Sequence, residues 1–254
     1  VTVTTATTTP FRAPFAGFAA QLALIALLAG NAGLTLAGGI AGIAYGVVLC
    51  ALLGAALDRA GMTFLGWANL VTFSRAILAG GVTALVTSSV LGHEIPVWLL
   101  ATIATVALAM DGVDGQVARR TGTTSALGAR FDMEVDAFLI LVLSVYAAVS
   151  YGWWALAIGA FRYAFVAASW ALPWLNAALP PRFSRKVVAA QQGVLLVVVA
   201  TGLLPAWAAV LVLAVALGSL TWSFGRDIRW LYRASRLRED ARTRWSMTLV
   251  TGRA

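Results

Sequence analysis

The sequence predicts an all-α fold, a polytopic transmembrane helical bundle, on three observations. Of 254 residues, 61% are hydrophobic and 11% charged, against about 25% charged in an ordinary soluble domain. Apolar runs recur every ~20 to 25 residues, the length a helix needs to cross a hydrocarbon layer about 30 Å thick. The basic residues behind the net charge of +8 lie in short loops and a tail between those runs, which suits anionic lipid headgroups and argues against nucleic acid as a partner. Cys50 is the one cysteine and lies in an apolar stretch, which excludes an intrachain disulfide, a cysteine-based zinc site and a redox pair.

Residues 1–14 hold a threonine-rich run without periodicity and are expected to be a disordered leader. The apolar stretch from Phe18 to Leu57 is too long for one crossing, and Gly30-Asn31-Ala32-Gly33 interrupts it, so residues 15–60 are expected to form two helices. Gly38-Gly39, Gly42 and Gly46 on the second suggest close packing against another helix or another protomer. Six further spans are expected near 69–90, 95–120, 124–150, 152–173, 186–204 and 206–230. Beyond them, residues 233–254 form a basic tail. Arg226, Arg229, Arg233 and Arg236 repeat at helical spacing, as a helix lying on the cytoplasmic leaflet would, or as the solvated end of the last span would.

Basic residues of short loops are held on the cytoplasmic side. With eight spans, one side receives Arg12, Asp58-Arg59, Arg119-Arg120, Arg182 with Arg185-Lys186, and the tail; the other has Glu94 as its only formal charge. A multi-pass protein of the cell membrane with both termini cytoplasmic is the expectation. Trp98, Trp153, Trp154 and Trp207 then fall at outer boundaries and Trp67, Trp174 and Trp230 at inner ones, as an aromatic belt requires.

Five of the ten acidic residues, Asp111, Asp114, Asp132, Glu134 and Asp136, fall within 26 positions at the facing ends of two consecutive spans. An ionised aspartate near the middle of a membrane helix costs about 2.5–3.5 kcal/mol on insertion scales, so a group of them requires a cation or a water-filled cavity. At about 100° per residue, Asp111, Asp114, Gly115 and Ala118 share one arc, and Gly128, Asp132 and Asp136 form one stripe of the next helix. The turn between them is short, so the two sets can face each other. Converging carboxylate oxygens make a hard-oxygen site suited to Mg²⁺ or Mn²⁺ and to diphosphate. Glu134 sits off that stripe and follows Arg130 by four, which predicts a helix-surface ion pair.

From Asp111 to Asp136 the residues spell D-x2-D-G-x2-A-R-x8-G-x3-D-x3-D, and Asn69, Thr72 and Arg75 lie upstream in NLVTFSR. The pattern resembles the signature of the CDP-alcohol phosphotransferase (CDP-alcohol phosphatidyltransferase) family at all eight fixed positions. The resemblance implies a six-helix core over residues 65–232, two additional N-terminal helices outside it, and a homodimer. It implies that Asp111, Asp114 and Asp132 are metal ligands for Mg²⁺ or Mn²⁺, two ions in all, with Asp136 the general base beside the metal. Thr72, Arg75, Gly115, Ala118, Arg119 and Gly128, with Asp111 and Asp114, would form the CDP-lipid site. The implied activity is transfer of a phosphatidyl group from CDP-diacylglycerol to an alcohol, with release of CMP, at the cytoplasmic end of the helices. An acceptor hydroxyl must lose its proton as it attacks phosphorus, and a neighbouring carboxylate can take it.

Acceptor residues are less legible. Arg162 lies midway along a span, as a substrate-phosphate contact or as the partner of an acid. Arg185 and Lys186 could also receive a phosphate. Lys186 and Gln192 resemble loosely the S-K-x-x-T-x-x-Q region of phosphatidylglycerophosphate and cardiolipin synthases, without the threonine. Glycerol 3-phosphate or phosphatidylglycerol is therefore the expected acceptor. Two other readings use the same carboxylates: a UbiA-like prenyltransferase, which needs two separated aspartate motifs, and an ion or metal transporter, which needs acids spread along a path. The acids here form one cluster near one face.

Overall fold

A computed structural model describes residues 12–61, 67–121, 126–180 and 182–251, with side chains over 14–61, 69–112, 127–180 and 182–238. Among the described residues there is no strand. Eight α-helices follow one another: α1 (Arg12–Ala32), α2 (Leu36–Ala60), α3 (Trp67–Val90), α4 (Val97–Thr121), α5 (Ala126–Tyr151), α6 (Leu156–Ala171), α7 (Phe183–Ala200) and α8 (Ala206–Thr251), with 3₁₀ turns at Trp153–Ala155 and Pro173–Asn176. Seven segments among the described residues are long and apolar enough to cross a membrane, and α4 adds a shorter apolar stretch, Val97–Gly112. The molecule is a polytopic helical bundle, as its composition predicts.

Most of the expected leader, residues 1–11, lies outside the described residues. Arg12 to Pro14 belong to α1, because proline near a helix start removes only an N–H that has no intrahelical acceptor. The Gly30–Gly33 interruption separates α1 from α2 as expected: Gly33 takes φ +61°, and Thr35 caps α2 by accepting from the Gly38 N–H at 3.0 Å. Gly61, at φ +60°, closes α2 by donating to the Asp58 and Leu57 carbonyls.

Helix α3 is the centre of the bundle and packs on α1, α2, α4 and α5. Of its apolar window 61% is buried, against 22% for the Trp153–Ala171 window that contains α6. Close approach to α2 requires glycine. A Cβ on Gly38 would fall 2.6 Å from the Ala84 carbonyl oxygen and closer still to Ser88 Oγ. Gly42 and Gly46 likewise meet α3 and α1 side chains, whereas Gly39 meets nothing within 4 Å. The small-residue face of α2 is thus used inside one chain. Leu28, Leu85, Leu100, Leu143, Leu196 and Leu213 draw α1, α3, α4, α5, α7 and α8 into one apolar core.

The basic segment after the last span is not a separate element. It runs on from the span as the same helix, α8, through Thr251. Trp98, Trp153 and Trp207, at the starts of α4, the first 3₁₀ turn and α8, are strongly exposed, as side chains of a lipid–water boundary are.

Candidate functional site

Three helices build the site. Asp111 lies at the end of the apolar stretch of α4, Asp132 and Asp136 one turn apart early in α5, and Arg75 in the third turn of α3. One carboxylate oxygen from each of the three aspartates lies within 4.8 Å of the other two. Below them sits Arg75, only 1% exposed. Its Nη1 is 3.1 Å from Asp111 Oδ1 and donates to Asp132 Oδ1 at 2.5 Å. Nη2 donates to Asp136 Oδ1, and Nε donates to the Ala107 carbonyl at 3.0 Å, one turn before Asp111. The aspartate side chains are 35% to 43% exposed, so the acids face an opening and the arginine forms the floor.

Helices α4 and α5 touch each other at few places, while α3 packs along both. The two acidic stripes expected to face each other across a short turn are therefore brought together by α3. Among the described residues, three carboxylates around one guanidinium leave a formal charge of −2. All the donors are hard oxygens, the ligand type that Mg²⁺ and Mn²⁺ take, so the residues fit a divalent ion. Thr72, one turn before Arg75, and Asn69 are buried on α3; Gly128, one turn before Asp132, is buried on α5. Asp114, Gly115, Ala118 and Arg119 belong to α4, but their side chains lie outside the described residues.

Arg162 of α6 donates through Nη2 to Glu134 of α5. Glu134 therefore pairs with a residue 28 positions away on the next helix, where its spacing suggested Arg130. Both line an open groove of about 750 Å³ between α2, α5 and α6, walled by Leu49, Leu52, Phe131 and Phe138. Arg185 of α7 donates to the Pro180 carbonyl and lies 3.6 Å from Asp227 of α8; Lys186 is exposed. Asp227, 7% exposed and also 3.7 Å from Arg226, is a buried acid that sequence reasoning missed. Its only signal was an aspartate set into an otherwise basic helix face.

Fold and site together define a multi-pass helical membrane protein with a three-carboxylate centre among α3, α4 and α5. The family model for CDP-alcohol phosphatidyltransferase matches residues 65–222, and the chain belongs to that family. The match holds Arg75 and all the clustered aspartates and leaves α1 and α2 outside. Comparison with curated proteins and with solved structures finds no match. Membership makes the chain a membrane-embedded transferase of phospholipid synthesis, acting on a CDP-alcohol and an alcohol acceptor, with a carboxylate cluster able to hold a divalent metal.

Proposed function

We propose that the protein transfers the phosphatidyl group of CDP-diacylglycerol to an alcohol, glycerol 3-phosphate or phosphatidylglycerol, and releases CMP. The observation that carries this reading is the convergence of Asp111, Asp132 and Asp136, from two helices, on one point within the family-matching segment. Asp111, Asp114 and Asp132, with Asp136 at the edge, would hold Mg²⁺ or Mn²⁺, two ions in the reading by resemblance. When bound, such ions neutralise charge on a diphosphate and favour its departure as leaving group.

The chain's own residues supply the rest. Asp136 takes the proton of the acceptor hydroxyl as that oxygen bonds to the phosphorus carrying diacylglycerol; the bond from this phosphorus to the CMP oxygen breaks, and CMP leaves. The Arg75 Nη2 contact fixes the orientation of the Asp136 carboxylate. Gly115, Ala118 and Gly128 leave room for the cytidine nucleotide, and Arg119, Thr72 and Arg75 border it. Arg162, Arg185 and Lys186 are the acceptor contacts. The active site and both termini face the cytoplasm of a cell-membrane protein, where a polar nucleotide reaches the carboxylates from water, and two chains form a homodimer.

The test is CMP release from CDP-diacylglycerol by membranes containing the protein with Mn²⁺ and a panel of acceptors, the products read by mass spectrometry. CMP formed only with glycerol 3-phosphate or phosphatidylglycerol supports the reading. No CMP with any acceptor rejects it, and a phospholipid product from another alcohol rejects the acceptor assignment.

A further inference from the structure

Charge around Arg75 poses a problem that substrate binding alone does not answer. Three carboxylates with oxygens within 4.8 Å of one another repel strongly in a site partly screened from water. A proton or a cation has to offset that repulsion before any metal ion arrives. The guanidinium of Arg75 is suited to this: it stays protonated under all ordinary conditions, and its planar fork serves several carboxylate oxygens at once. Lysine would offer one point charge in place of the fork.

Arg75 is also anchored. Its Nε is tied to the Ala107 carbonyl at 3.0 Å, and it is 1% exposed beneath aspartates that are 35% to 43% exposed. An incoming ion would approach from the open side and find the arginine fixed below. Among the described residues the acids contribute −3 and Arg75 +1, which leaves −2 for a divalent ion to offset. Without Arg75 the same ion would meet −3 and be held more tightly.

We propose that Arg75 is the built-in counter-cation of the carboxylate centre, a positioning residue that keeps Asp111, Asp132 and Asp136 assembled without metal and lowers their affinity for a divalent ion so that it stays exchangeable. This rests on the reading of the cluster as a metal site and goes beyond any contact Arg75 makes with substrate. It requires two effects of opposite sign from one substitution. Loss of the guanidinium should make the metal-free protein less stable and the metal more tightly bound.

The experiment uses the full chain purified in detergent and stripped of metal, with Mn²⁺ as the only added ligand, free Mn²⁺ read by electron paramagnetic resonance and stability by thermal unfolding. Arg75→Gln should bind Mn²⁺ at least about tenfold more tightly than wild type, unfold about 5 °C or more lower without metal, and recover most of that loss on adding Mn²⁺. Arg75→Lys, which keeps the charge and loses the fork, should bind Mn²⁺ within about threefold of wild type and unfold at a lower temperature without metal. Equal or weaker Mn²⁺ binding by Arg75→Gln, or an unchanged metal-free midpoint, overturns the proposal. If Arg75→Gln does not fold, the lysine variant decides, and an unchanged midpoint or binding more than about tenfold tighter than wild type overturns it. A residue that only contacts nucleotide would reduce CMP release and leave nucleotide-free Mn²⁺ binding as it was. Wild-type protein that binds no Mn²⁺ through Asp132, judged by Asp132→Asn, would reject the metal reading and this inference together; wild-type binding with no gain in Arg75→Gln rejects this inference alone.

Discussion

Two arginines sit within the helical bundle beside acids of α5, and they behave differently. Arg75 is buried under three carboxylates, whereas Arg162 is about one-third exposed and, among the described residues, is ion-paired with one acid, Glu134, itself more than half exposed. The Arg162 pair is electrically closed, one charge against one. Counted over the described residues, the Arg75 group carries two more negative than positive charges and so retains a demand for a cation. An arginine in a membrane span therefore does not by itself mark a reactive site; the surplus of acid around it does. Helix α5 carries both arrangements on different faces, with Asp132 and Asp136 turned to α3 and Glu134 turned to the groove beside α6.

The contrast can be broken or sharpened by experiment, the largest effect first. Asp136→Asn should lower CMP release about 100- to 10,000-fold, the usual contribution of a general base, while labelled CDP-diacylglycerol still binds; normal turnover would remove Asp136 from the chemistry. Chelating divalent ions should abolish turnover and lower the thermal midpoint of wild-type protein, with Mn²⁺ restoring both. That midpoint should not move in an Asp111→Asn/Asp132→Asn double variant. Gly38→Leu, far from the acids and jammed against Ser88 and Ala84, should cost about 1–3 kcal/mol of stability and leave turnover per folded molecule unaltered. The smallest effect belongs to Glu134→Gln: an exposed pair contributes at most about 1 kcal/mol, so chemical or thermal unfolding should barely register it. If Arg162 contacts the acceptor, Arg162→Gln should raise the acceptor KM with little change in kcat. A stability loss from Glu134→Gln as large as that from Gly38→Leu would erase the distinction between the two arginines.

Much of this arrangement was readable in the sequence, for a definite reason. Helix boundaries in a bilayer are fixed by length and by turn residues, so the interruption at Gly30–Gly33 and the later spans fall close to the helices observed. Periodicity likewise put Asp132 and Asp136 on one stripe. What periodicity does not contain is which helix lies between which. The acids of α4 and α5 do converge as their stripes suggested, with oxygens within 4.8 Å of one another, but α3 packs along both helices and sets Arg75 against all three carboxylates, which no spacing along one helix reveals. Glu134 went to Arg162 instead of Arg130 for the same reason: spacing along one helix cannot reveal a partner on the next. Asp227 was overlooked among the arginines of α8 because its burial depends on α7 packing over it.

The order of these helices along the chain has a consequence for how the protein is made. Ribosomes deliver a polypeptide from its N-terminal end, and α3 emerges before α4 and α5. The guanidinium of Arg75 is thus synthesised before every acid it faces in the finished bundle.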